Sequence, residues 1–160
     1  MGTIMSSNRS IIFKLAGIAT IVAVIRYFLK GLLEPLGVPT VVGSFLASIT
    51  IVLLVGLVLI FLREGRRRDG SYARAAVWFA ALAVWCEVLV IAGILLTERT
   101  GANTYYRGPW EMVEEMFPTP AAHAIGHTQG FFVRLAVNLI IGAIIYGLAK
   151  RRRGNRGDNG

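Results

Sequence analysis

The stretch VPTVVGSFLASITIVLLVGLVLIFL (residues 38–62) contains no charged side chain. An uninterrupted apolar run of this length matches the ~30 Å hydrocarbon core of a bilayer when wound as a helix. Its two flanks extend the pattern. GLLEPLGVP (31–39) places Gly, Pro, Gly and Pro in a tight connection, which predicts a hairpin with the apolar run before it, Ile11–Leu33. REGRRRDGSYAR (63–74) sets Arg63, Arg66, Arg67, Arg68 and Arg74 against Glu64 and Asp69 and separates the stretch from a third run, Ala75–Leu96. A longer connection, 97–119, leads to a fourth run over 120–149. KRRRGNRGDNG (150–160) closes the chain as a basic, glycine-rich segment expected to be disordered.

The expected fold is all-α. It is an integral membrane four-helix bundle in one domain, residues 1–150, with spans at about 11–33, 38–62, 75–96 and 120–149. The outer loop is 97–119 and the disordered basic tail is 151–160. Composition agrees: the 160 residues are 55% hydrophobic and only 16% charged, with mean hydropathy +0.62. A soluble domain carries roughly 25% charged residues. The apolar residues are gathered in blocks rather than spread at a core-forming period.

The formal net charge of +8 does not point to nucleic acid, because the basic residues sit beside the apolar runs and so read as topology control. Arg9 and Lys14 flank the first run, and the 63–74 connection and the tail hold the two densest arginine groups. With four spans, these three segments fall on one side. The positive-inside rule then makes both termini cytoplasmic, in a plasma membrane or bacterial inner membrane, with 97–119 facing out. The N-terminus lacks a small-residue cleavage site after its apolar run, so an uncleaved first span is expected. Cys86 is the only cysteine, which excludes intrachain disulfide chemistry and cysteine-rich metal sites.

Functional candidates concentrate in PWEMVEEMFPTPAAHAIGHTQGFFVRLAVN (109–138). PWEMVEEMF (109–117) fits a short amphipathic helix lying on the outer surface, with Glu111, Glu114 and Glu115 off its apolar side. Thr119-Pro120 fits a helix start, threonine as N-cap and proline at the first helical position. A fourth helix beginning there runs roughly 45 Å, beyond what the hydrocarbon core requires. At 100° per residue His123, His127, Arg134 and Asn138 fall within about 60° of one another, forming a polar stripe that must face the bundle interior or a watered cavity. Gly126 and Gly130 lie beside it. In the second span Gly43, Ser44, Ala47 and Ser48 offer a small-residue surface for helix packing.

Three intramembrane charges share nearly one depth. Counted from the cytoplasmic ends, Glu87 lies at roughly 18 Å and Arg26 and Arg134 at roughly 22 Å. An isolated charge there costs at least ~2.5–3.5 kcal/mol, so Glu87 is expected to bridge to Arg134, to Arg26 or to both. Arg26, Glu87, Arg134 and Asn138 thus form the candidate intramembrane cluster. It reads either as an ion pair fixing helix register or as a route for protons or anions.

His123 and His127, at i,i+4, can chelate one divalent metal with Glu111, Glu114, Glu115 or Glu98 completing the shell; the competing reading is two interfacial histidines bonded to backbone or lipid. A bis-histidine haem is disfavoured, because both histidines lie on one helix. Arg66, Arg67, Arg68, Arg151, Arg152 and Arg153 read as topology determinants or as contacts to anionic lipid headgroups. No nucleophile motif or phosphate-cradling loop is present, which argues against hydrolytic chemistry. The leading functional expectation is a non-enzymatic accessory, assembly or interaction subunit of a membrane complex. The alternative is a membrane enzyme or transporter that uses the His/Glu mouth above the buried charges for a metal, proton or anion.

Overall fold

A computed structural model describes residues 5–106 and 119–157 of the chain. Those residues form helices α1 (Met5–Leu33), α2 (Thr40–Leu46), α3 (Ile49–Arg66), α4 (Tyr72–Thr100) and α5 (Pro120–Gly157), with a short 3₁₀ turn at Glu34–Leu36. Among them there is no strand. Four helical segments are long and apolar enough to cross a membrane: Arg9–Leu36, Val42–Arg66, Tyr72–Thr100 and Ala121–Gly154.

α3 and α4 form the central pair, and α1 and α5 each pack against both of them, on opposite sides. Phe61, Phe79, Leu82, Leu57, Ala19, Ala75 and Cys86 are buried in the core between these helices. The flanking helices turn large apolar side chains outward, among them Phe28, Leu32, Phe132, Val133 and Ile140. Such an outer surface is stable against lipid tails and would be costly in water.

The second span departs from the expected continuous helix over 38–62. Backbone geometry changes at Ala47 (φ −102°, ψ 41°) and Ser48 (φ −89°, ψ 115°), so α2 ends and α3 begins within one apolar segment. GSFLASIT (43–50) is rich in glycine, serine and threonine, which hold a helix less firmly than the leucine-rich sequence after it. Breaking a helix inside an apolar segment releases carbonyls that need other partners. They find partners, described below.

α5 starts as its sequence predicts: the Ala122 amide donates to Thr119 Oγ1 at 3.1 Å. Its other end differs from expectation. The helix continues through Lys150–Arg153 to Gly157, over residues expected to be disordered. Lysine and arginine lose little side-chain freedom in a helix, so a basic composition alone does not end one.

The connection between α3 and α4 is tightly built. Glu64 is fully buried and accepts from the Ser71 amide at 3.2 Å and from Arg74 Nε at 3.1 Å. Arg67 pairs with Asp69 at 3.1 Å, and its guanidinium holds the Asp69 carboxyl below the ordinary carboxylate range. Tyr146 of α5 donates to Gly70 O at 2.9 Å, and Arg153 donates to Arg67 O. α3 and α5 cross closely here: a Cβ at Gly65 would lie 2.7 Å from both the Ala149 Cβ and the Tyr146 carbonyl oxygen. One of those neighbours is backbone, so the helices themselves would have to part. Gly65→Ala is expected to lower stability by about 1–3 kcal/mol. Unfolding of the detergent-solubilised variant tests this, and an unchanged midpoint would show that the crossing is looser than drawn.

Candidate functional site

Arg26 and Glu87, which the sequence groups together, sit in two different settings. Glu87 of α4 faces α5. Arg134 Nη2 reaches its two carboxylate oxygens at 3.3 and 3.1 Å, and His127 Nδ1 lies 3.3 Å from Oε1. Arg134 folds back along its own helix, donating also to His127 O at 3.3 Å, and its guanidinium occupies the space beside Gly130. This backward lean is the ordinary direction of a long helical side chain. The Glu87 side chain is 13% exposed, His127 34% and Arg134 51%. Asn138 lines the same cavity one turn further along α5.

Arg26 does not bridge to Glu87. Its Nη1 donates to Ser44 O at 3.2 Å and Ala47 O at 3.1 Å, the carbonyls freed where α2 ends. Its Nη2 donates to Tyr105 O at 3.1 Å. The guanidinium thus caps the negative end of a broken helix, where the aligned peptide dipoles favour a cation. The same arginine lies over the Tyr106 ring, 5.3 Å from its centroid, and Tyr106 donates to Ala23 O at 3.1 Å.

Tyr105 and Tyr106 are functional-region residues that sequence reasoning missed. The segment after α4 turns at Gly101 (φ 64°) and drives both tyrosines into the helices, each about 5% exposed. A buried bond between Thr97 and Thr104 hydroxyls at 2.8 Å fixes the turn. Two glycines make room. A Cβ at Gly43 would overlap the Tyr105 hydroxyl, and one at Gly93 would lie 2.6 Å from Tyr106 ring atoms. The small face of α2 therefore receives a loop tyrosine. The available signal was two adjacent tyrosines next to glycine-bearing spans, but nothing in the sequence pairs them.

Two cavities border these settings. One, of about 450 Å³, is lined by Arg26, Ser44, Ser48, Tyr105, Tyr106 and His123 among others. The second, of about 220 Å³, contains Glu87, Arg134, Asn138, Thr50 and Cys86. Ile49, Thr50, Val90 and His127 line both, so His127 stands in a shared wall. His123 is buried, one turn before His127, with ring centroids 5.6 Å apart.

No family model, curated protein or solved structure matches the chain.

Chemically, the arrangement is a line of titratable groups: His123, His127, then Glu87 held by Arg134. A Glu87 carboxylate accepts from His127 when Nδ1 carries the proton, leaving Nε2 as the basic nitrogen. As for metal, no group of three His, Cys, Asp or Glu side chains gathers among the described residues. Glu111, Glu114 and Glu115, and the amphipathic segment 109–117, lie outside the described residues. Among the arginines assigned to headgroups or topology, Arg67 is committed to Asp69 and only 18% exposed, whereas Arg66, Arg68, Arg151 and Arg152 are exposed.

Proposed function

We propose that this chain is a small multi-pass membrane protein, both termini cytoplasmic, that moves protons through its polar interior. The observation that carries the reading is His127 in the wall between two cavities, bonded to the Glu87 carboxylate. Ionisable groups are costly within a bilayer, and ones lined up along cavities are suited to proton relay. A histidine with one nitrogen fixed by a carboxylate and the other basic can accept a proton on one side and release it on the other. The basic connection 63–74 and the basic end of α5 support the cytoplasmic assignment.

Reconstitution into vesicles holding a pH-sensitive dye tests the proposal. Under an imposed potential, wild-type protein is expected to acidify the lumen at least about tenfold faster than His127→Leu, because hydrocarbon cannot relay a proton. Rates equal to those of protein-free vesicles, with correctly folded wild type, would sink the reading.

A second reading, a subunit of a larger membrane assembly, rests on a separate observation. Arg134 leaves half its side chain exposed within an apolar helix. A guanidinium in that position favours a polar partner helix over lipid. Stoichiometric co-purification with one membrane protein, lost in Arg134→Leu, would favour it.

A further inference from the structure

A different part of the molecule carries an independent site. At the basic end, α3 and α5 border a groove of about 580 Å³. Val58, Leu62, Ile145 and Leu148 form its apolar wall, and Arg66 and Arg152 stand at its rim with Arg153. Val58 and Leu148 are 42% and 58% exposed, so the wall is open to whatever lies alongside the helices. From position 58 to 66 on α3 the groove spans about 12 Å, close to the hydrocarbon thickness of one leaflet.

Among the described residues, no carboxylate compensates the charge of Arg66 and Arg152 at the rim. Among the described residues, the acids at this end are Glu64 and Asp69. Glu64 is taken by Arg74, and Asp69 by Arg67 with Arg74. Arg66 and Arg152 have no carboxylate within ion-pair distance among the described residues, and both are exposed. Two guanidinium groups at the head of an apolar groove match a phosphate joined to an acyl chain. Guanidinium forks suit phosphate oxygens, and the chain removes the wall from contact with mobile lipid.

We propose that this groove binds one anionic phospholipid, its phosphate between Arg66 and Arg152 and one acyl chain along Val58, Leu62, Ile145 and Leu148. The site needs no part of the proton route. It selects anionic over zwitterionic lipid by net charge, and it selects lipid over free phosphate by the apolar wall.

The full chain in nanodiscs of mixed phosphatidylglycerol and phosphatidylcholine, released and weighed by native mass spectrometry, tests the site. One phosphatidylglycerol per chain is expected to be retained in preference to phosphatidylcholine. Arg66→Gln with Arg152→Gln is expected to weaken that retention at least about tenfold. Arg68→Gln with Arg151→Gln removes the same charge next to the groove and is expected to change it less than about twofold. Equal losses in the two pairs would reduce the effect to diffuse charge and overturn the site. Equal retention of phosphatidylcholine would overturn the phosphate contact, and displacement by inorganic phosphate at constant ionic strength would overturn the acyl contact. Stoichiometric occupancy by a co-purified protein helix instead of lipid would also overturn it. A tryptophan at position 148 (Leu148→Trp), quenched by brominated phosphatidylglycerol in the wild-type background and not in the Arg66/Arg152 variant, is the expected spectroscopic counterpart.

Discussion

Arg26→Leu is expected to lower the stability of the detergent-solubilised protein by about 3–5 kcal/mol, among the largest effects of any single change in the chain. The substitution leaves Ser44 O, Ala47 O and Tyr105 O without the donor they share. Ser44 O and Ala47 O lie at a break within an apolar segment, where losing a donor to main-chain carbonyls is costly. Two consequences should appear together. The unfolding midpoint drops by roughly 10 °C, at about 2–4 °C per kcal/mol for a chain of this size. Residues 101–106 also become open to protease, because Tyr105 is held partly by Arg26 and Tyr106 lies beneath it. Arg26→Lys should restore roughly half of the loss, since an ammonium can serve some but not all of three spread carbonyls. A leucine variant within 2 °C of wild type, a span of about 1 kcal/mol or less, would show that the broken helix does not depend on Arg26.

The second large effect belongs to Glu87. Glu87→Gln leaves Arg134 without a counter-charge and replaces the anionic acceptor for His127 with a neutral amide oxygen, at an expected cost of about 2–4 kcal/mol. The figure stays below that of a fully buried pair because Arg134 is 51% exposed and its charge is partly solvated in detergent. The double variant Glu87→Gln, Arg134→Gln removes both charges and is expected to recover part of the loss. A double-mutant cycle should return a coupling of about 1–2 kcal/mol between the two positions. Additive single effects would mean that the ion pair contributes only geometry. Running the cycle on proton flux as well separates the roles: a purely structural pair restores flux along with stability, whereas a relay loses flux in both glutamate variants.

The connections between these residues were legible to different degrees. Depth places Glu87, Arg134 and Arg26 near one level, since it depends only on position along each helix and a fixed rise per residue, and it left either arginine open as the partner of Glu87. Helical phase puts His127 on the face of Arg134, two turns away, but its bond to Glu87 came only from the structure. Arg26 sits at a similar depth and yet turns elsewhere. Its partners are main-chain carbonyls exposed by a break in the neighbouring span, and carbonyl availability is invisible in side-chain chemistry. The inserted tyrosines were hidden for a related reason: the space for Tyr105 is an absence, the missing Cβ of Gly43 on a distant helix.

The sequence by itself determined that this chain is helical, that four of its segments are long and apolar enough to cross a membrane, where the connections fall, and where the fourth helix starts. These are properties of local composition and period, which the cost of burying polar backbone in hydrocarbon makes decisive. Only the tertiary structure decided that the second span is interrupted, that Arg26 caps the interruption, and that His127 stands between two cavities. It likewise decided which arginines at the basic end have no carboxylate partner among the described residues. Each of these depends on which backbone groups and empty volumes on separate helices come within about 3 Å of a side chain, a relation between helices that no single stretch of sequence contains.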